Sequence, residues 1–202
     1  MKYASASAFR TALETRLRSE QSEGVGVSRL RKRVVFERLL ARLQAVALDD
    51  WFLKGGFALE LRLGGRARTT KDVDIDWTLG EQEATELLLD AVAYEMDDYF
   101  TFAVQRAAAD DDLAGREFER VAIDIGFGKP PVVAPDTIVS SHLLEFAGIA
   151  PVVVPAIAVE QTSPRSCTHT AARTPAISRA LGSKTSSTWS SSRGRPPSTP
   201  TA

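Results

Sequence analysis

Three aspartates at alternate positions, Asp72, Asp74 and Asp76, stand in the run Lys71-Asp72-Val73-Asp74-Ile75-Asp76-Trp77. In a strand, alternate residues project to one face, so the three carboxylates share it. Like charges set side by side repel, and a purely structural sheet gains nothing from them. A divalent cation such as Mg²⁺ does gain, because it takes hard oxygen ligands and usually combines one or two carboxylates with phosphate oxygens. A further carboxylate sits in a second apolar run, Val121-Ala122-Ile123-Asp124-Ile125, where strand propensity disfavours Asp. If the two runs are neighbouring strands, Asp124 completes a site begun by Asp72 and Asp74. Upstream, Gly55-Gly56 joins an apolar tetrapeptide to a helix-like segment, a junction at which backbone N–H groups approach a phosphate. Arg68 and Lys71, just ahead of the aspartates, suit a triphosphate. Taken singly, each part has a plainer reading as a solvated strand end, a turn or a surface charge. Together they fit metal-assisted phosphoryl or nucleotidyl transfer.

Such a site needs strands flanked by helices, and the pattern provides them. Ala4 to Arg18 has helical spacing. Val27 to Ala47 aligns Leu30, Val34, Val35, Leu39, Leu40, Leu43 and Val46 on one stripe, with Arg29, Arg31, Lys32, Arg33, Arg38 and Arg42 opposite. That basic face reads as solvated surface, or alternatively as an RNA contact. Trp51-Phe52-Leu53-Lys54 reads as a short strand ending at Gly55-Gly56. Phe57 to Leu63 reads as a helix closed by Gly64-Gly65. Lys71 to Thr78 is a strand, and Glu81 to Tyr94 an amphipathic helix. Phe100 to Ala107 and Glu119 to Gly126 are two more strands. Pro130 to Pro135 and Pro151 to Pro155 are expected as loops or edge segments. The expected class is α/β or α+β, a modest sheet with packed helices. Trp51 and Trp77 are expected in the core, and His142 in a structural or solvent-facing place.

Composition excludes several other classes. The 202 residues contain one cysteine, Cys167, and two histidines, His142 and His169, which rules out a disulfide framework and a Cys- or His-rich metal centre. A metal, if held, must be held by carboxylates. No stretch reaches the ~18–20 apolar residues of a membrane span. Met1 to Arg10 lacks a signal-peptide core, so the expected compartment is the cytoplasm. Overall charge is −1, but its distribution is uneven. All 26 acidic residues and 19 of the 25 basic ones lie in residues 1–161, while 162–202 hold six basic residues and no acidic one. Ser, Thr and Pro crowd that second stretch, and no apolar periodicity survives in it. The expectation is a folded unit over 1–161 and a disordered tail over 162–202.

Phe52-Leu53-Lys54-Gly55-Gly56-Phe57-Ala58-Leu59, followed by Arg68-Thr69-Thr70-Lys71-Asp72-Val73-Asp74 and a later single Asp124, is similar to the AbiEii/AbiGii nucleotidyltransferase toxins of type IV toxin–antitoxin systems. The resemblance covers about Val27 to Glu160. It implies a mixed sheet with two acidic strands, Mg²⁺ and NTP binding, and transfer of a nucleotide to an RNA acceptor. The implied acceptor is the 3′ end of tRNA, so that translation stops, and an antitoxin would be encoded nearby. By the same resemblance, Asp72 and Asp74 are metal ligands, and Asp124 is the third carboxylate, which also activates the acceptor hydroxyl. Gly55 and Gly56 line the phosphate site. Asp76 lies beyond the motif.

Beyond Glu160 the chain departs from the family, which continues with a helix of the type Ala-Glu-Lys-Leu-x-Ala and a Lys-Asp-Leu-x-Asp-Leu segment. With suitable third bases, codons for Thr162 to Thr170 shifted by two bases spell Leu-Ala-Glu-Lys-Leu-His-Ala-Tyr. Codons for Gly182 to Trp189 at the same shift spell Val-Lys-Asp-Leu-Val-Asp-Leu. The tail therefore reads as an out-of-frame replacement of the family's C-terminus, which would remove a nucleotide-binding Lys and impair activity. Three other functional readings stay open. They are an impaired remnant that binds only nucleotide or a partner, transfer to a small molecule of aminoglycoside type, and an RNA-binding module built on the basic helix.

Overall fold

The computed structural model describes residues 1–21, 26–64, 70, 72–105, 117–127, 130–158 and 176–180. Its elements, in chain order, begin with α1 (Ala6–Ser19) and α2 (Val27–Val46), followed by β1 (Trp51–Lys54), α3 (Gly55–Leu63), β2 (Asp72–Trp77) and α4 (Glu81–Ala93). The strands β3 (Thr101–Gln105), β4 (Glu117–Phe127), β5 (Asp136–Val139), β6 (Val153–Ala156) and β7 (Ala176–Ala180) complete the set. The strands form one mixed sheet in the order β3-β7-β4-β2-β1-β6-β5. β2 is parallel to β4 and antiparallel to β1, and β1 is parallel to β6. The expected α+β class is the one observed. No helix among the described residues is long and apolar enough to cross a membrane.

Local chemistry explains the helix ends. The Ser5 hydroxyl accepts the Ala8 N–H at the start of α1, and Ala6, Phe9, Leu13 and Leu17 recur on its buried face. α4 opens with Glu81 and Glu83, whose charges suit a helix N-terminus, and buries Ala84, Leu88 and Ala91. On the sheet, Val73, Ile75 and Trp77 of β2 and Val121, Ile123 and Ile125 of β4 alternate into the core beneath α2 and α4. Trp51 and Trp77 are register partners in that core, each 1% exposed. Phe57 of α3 meets Phe36 of α2 edge to face at 4.9 Å.

Three expectations are corrected. The α2 stripe is not flanked by a free basic face. Arg42 is fully buried and Arg38 nearly so, both bonded to the buried Asp98. Arg29, Arg31 and Arg33 pair with Glu60, Glu14 and Glu37. Helix α2 is packed on more than one side, and its cations are structural partners for four acidic residues, Glu14, Glu60 and Asp98 from elsewhere in the chain and Glu37 of α2 itself. Helix α3 starts at Gly55, not Phe57, because Gly55 turns the chain with φ +66 directly out of β1. The Pro151 to Pro155 stretch contains β6, which is interior. The Ile157 N–H donates to Leu53 O, so alternation puts the missing N–H of Pro155 on the β1 side, where only Leu53 and Ala156 are in register. Strand β5, unforeseen, pairs outside it.

Ala176–Ala180 forms β7, paired antiparallel with both β3 and β4. β3 and β4 are not each other's neighbours, so each presents an open edge across the gap, and an extended Ala-Ile-Ser-Arg-Ala segment satisfies both. The rest of 162–202, including Cys167 and His169, lies outside the described residues.

Candidate active site

Three adjacent strands build the site. In the parallel β2–β4 pair, Asp72 is registered with Ala122, Asp74 with Asp124 and Asp76 with Gly126. Residues in register share a face, so Asp74 and Asp124 stand side by side with Asp72 one step away. On the other side of β2, the antiparallel register sets Lys54 of β1 opposite Asp74 and Phe52 opposite Asp76. The four aspartates are half-buried, while the residues between them are buried. β2 and β4 thus turn apolar residues to the helices and acidic ones to the opposite face, where β1 adds Lys54 and the buried Phe52.

This face concentrates negative charge. Burial, then the charges of Asp72 and Asp124, push the Asp74 carboxyl up to about 6, against the opposing effects of Lys54 and the Gly56 N–H. The Thr70 hydroxyl donates to Asp72 O at 2.9 Å and is 3.2 Å from Asp72 Oδ1. The donors offered by Asp72, Asp74 and Asp124 are hard carboxylate oxygens, the chemistry a Mg²⁺ ion takes, and their mutual repulsion is what a bound cation relieves. Among the described residues, no group of three or more His, Cys, Asp or Glu side chains is gathered tightly enough to hold a metal ion as it stands. The register brings the three carboxylates to one face, and closing them on an ion requires side-chain adjustment.

Gly55 and Gly56 are brought to the same place. A Cβ at Gly55 would overlap the Asp74 carboxylate, and one at Gly56 would lie 2.9 Å from Thr70 Oγ1. The Gly56 N–H, at the start of α3, is bonded to Asp74. Gly55→Ala is therefore expected to lose about 1–3 kcal/mol, from the left-handed backbone and the displaced carboxylate together. Gly56→Ala, which meets only the Thr70 side chain and has no left-handed backbone, should lose less, and denaturant unfolding of the two variants gives the order.

Arg68 and Lys71 lie outside the described residues. Asp76 is paired with Lys54, a residue the sequence reading did not single out. Strand alternation from Phe52 puts Lys54 on the outer face, but only the β1–β2 register shows that it meets aspartates. His142 is a surface residue whose Nδ1 lies 2.7 Å from Glu145 Oε1, far in character from this site.

An α+β sheet with an Asp-x-Asp strand, a single Asp in register beside it and a Gly-Gly helix start has the layout of a nucleotidyltransferase. Residues 38–162, more than half of the chain, match the family described as nucleotidyl transferase AbiEii toxin, type IV toxin–antitoxin system, and the chain belongs to that family. Among solved structures it is similar to MenT4, a nucleotidyltransferase toxin from Mycobacterium tuberculosis H37Rv, at 16% identity and a TM-score of 0.48. That match covers 74% of this chain and 55% of the other, so the chain spans a little over half the length of that relative. No curated protein matches the sequence.

Proposed function

We propose that the fold carries a Mg²⁺-dependent nucleotidyltransferase that moves a nucleoside monophosphate from an NTP to an RNA hydroxyl, with the 3′ end of tRNA as acceptor. The observation that supports it best is the register of Asp74 with Asp124, one step from Asp72. In this reading Asp72, Asp74 and Asp124 hold the ion, which when bound polarises the α-phosphate and neutralises the charge that develops on it. Asp124 takes the proton of the acceptor hydroxyl. That oxygen bonds to the α-phosphorus as the bond to the β-phosphate oxygen breaks, and pyrophosphate leaves. In the same reading Gly55 and Gly56 line the phosphate site at the start of α3, and Arg68 and Lys71 contact the triphosphate. Nucleotide addition to the tRNA 3′ end blocks aminoacylation and so translation. A toxin of this kind works in the cytoplasm and requires an antitoxin encoded beside it.

The family match ends at residue 162, where the acidic residues end too. That coincidence favours a second reading, in which an out-of-frame tail leaves this chain able to bind nucleotide and metal but slow in transfer. The purified chain, incubated with Mg²⁺, labelled NTPs and total tRNA, separates the readings. Asp74-dependent labelling of RNA supports the first, and Mg²⁺·NTP binding without transfer supports the second. Labelling of an added aminoglycoside in place of RNA would move the acceptor to a small molecule. Absence of both binding and transfer overturns all of them.

A further inference from the structure

Lys54 and Asp76 form an ion pair on the open face, each about one-third or less exposed. Three strands cooperate to seat the pair. Lys54 ends β1, Asp76 lies on β2, and Gly126 of β4 is in register with Asp76. A Cβ at residue 126 would overlap the Asp76 carboxylate and stand 3.2 Å from Lys54 Nζ. The glycine thus leaves the space in which the pair fits. Lys54 is also the residue immediately before the Gly55-Gly56 turn and is in register with Asp74. Its ammonium, seated beside Asp76 and Gly126, is also close enough to Asp74 to lower that carboxyl.

We propose that Asp76 is not a metal ligand but the holder of Lys54, and that the Lys54 ammonium binds the anionic phosphate oxygens of the incoming nucleoside triphosphate. The assignment rests on the nucleotidyltransferase reading and extends it. An ammonium is a compact donor of up to three hydrogen bonds, and a phosphate oxygen is its strongest ordinary acceptor. Asp76 takes one donor and fixes the direction of the side chain, leaving the others for the ligand. Gly126, which admits no side chain, keeps the pair from being pushed off the sheet. The Asp76 carboxylate already has a strong cationic partner in Lys54, which holds it back from turning to a metal ion.

Two binding titrations of the full chain test this. The first uses Mn²⁺ alone, followed by its paramagnetic signal, and the second uses a fluorescent ATP analogue with Mg²⁺. Lys54→Gln should weaken nucleotide binding by about tenfold or more, the size of a lost charge-assisted hydrogen bond, with Lys54→Arg restoring part of it. Asp76→Asn should weaken nucleotide binding in the same direction while leaving Mn²⁺ affinity within about twofold, well short of a lost ligand. Gly126→Ala should weaken nucleotide binding as well. The proposal is overturned if Lys54→Gln binds nucleotide as wild type does, or if Asp76→Asn loses Mn²⁺ as severely as Asp74→Asn. If Asp74→Asn and Asp124→Asn leave Mn²⁺ binding intact, the nucleotidyltransferase reading itself fails, and the two failures are told apart.

Discussion

Asp98→Ala is expected to lose about 3–5 kcal/mol of folding stability, because it strands two buried arginines. Asp98 accepts from Arg38 Nε at 2.8 Å, from Arg42 at 3.0 and 2.9 Å, and from the Phe100 N–H at 2.9 Å. Arg42 also donates to the carbonyls of Tyr94, Arg38 and Phe100. The cluster ties α2 to the segment between α4 and β3, and so fixes the helix against which the acidic strands pack. Domains of this size have about 5–15 kcal/mol in total, so the variant should be partly unfolded at 37 °C. Asp97→Ala next door is the control. Its side chain is 82% exposed, and its pair with the Met1 amine should be worth under about 1 kcal/mol. Urea unfolding of the two variants checks the contrast, and equal effects would contradict it.

The same cluster sets an acid limit. Burial alone would raise the Asp98 carboxyl, but the hydrogen bonds and charge of Arg42, then the charge of Arg38, outweigh burial and hold it below the ordinary value of 3.8. The unfolded chain then takes up a proton at that position before the native one does. Its contribution is whole above 3.8 and is lost as pH falls through the lowered folded value. Asp98→Asn should flatten that acid limb in a plot of melting temperature against pH.

The second large effect falls on transfer. On the proposed reading, Asp74→Asn and Asp124→Asn should each lower it by about two to three orders of magnitude, and the double variant should fall little further, because groups proposed to hold one ion fail together. Stability should move the other way for Asp74. Its raised carboxyl favours the folded state below 3.8 and opposes it as pH rises through about 6. In EDTA at pH 8, Asp74→Asn should therefore melt no lower than wild type, and the gap should close in acid. A loss of transfer together with a loss of folding would mean that the aspartate is merely structural.

The sequence made the gathering of the aspartates legible where a residue type conflicts with its setting. Aspartates at strand period, and one Asp inside Val121 to Ile125, violate strand propensity, and both were brought together by the β2–β4 register. The pairing of Lys54 with Asp76 was hidden, because it depends on the order of strands and not on any local pattern. The buried arginines of α2 were misread for a related reason. A helix in the middle of a fold is packed on several sides, and acidic partners such as Asp98 come from far along the chain. Strand β7 was invisible because composition argued for disorder, whereas the two edges that pair with it arise only once β3 and β4 are in place. Interior β6 was masked by its proline, whose missing donor falls where the β1 pairing is short.

The most direct test of the account is a crystal structure of the chain with Mg²⁺ and a non-hydrolysable NTP analogue. The account predicts a single cation at about 2.0–2.1 Å from carboxylate oxygens of Asp72, Asp74 and Asp124, with the triphosphate beside Gly55 and Gly56. A cation bound elsewhere, or an Asp124 carboxylate turned away from Asp74 in the loaded protein, would contradict it.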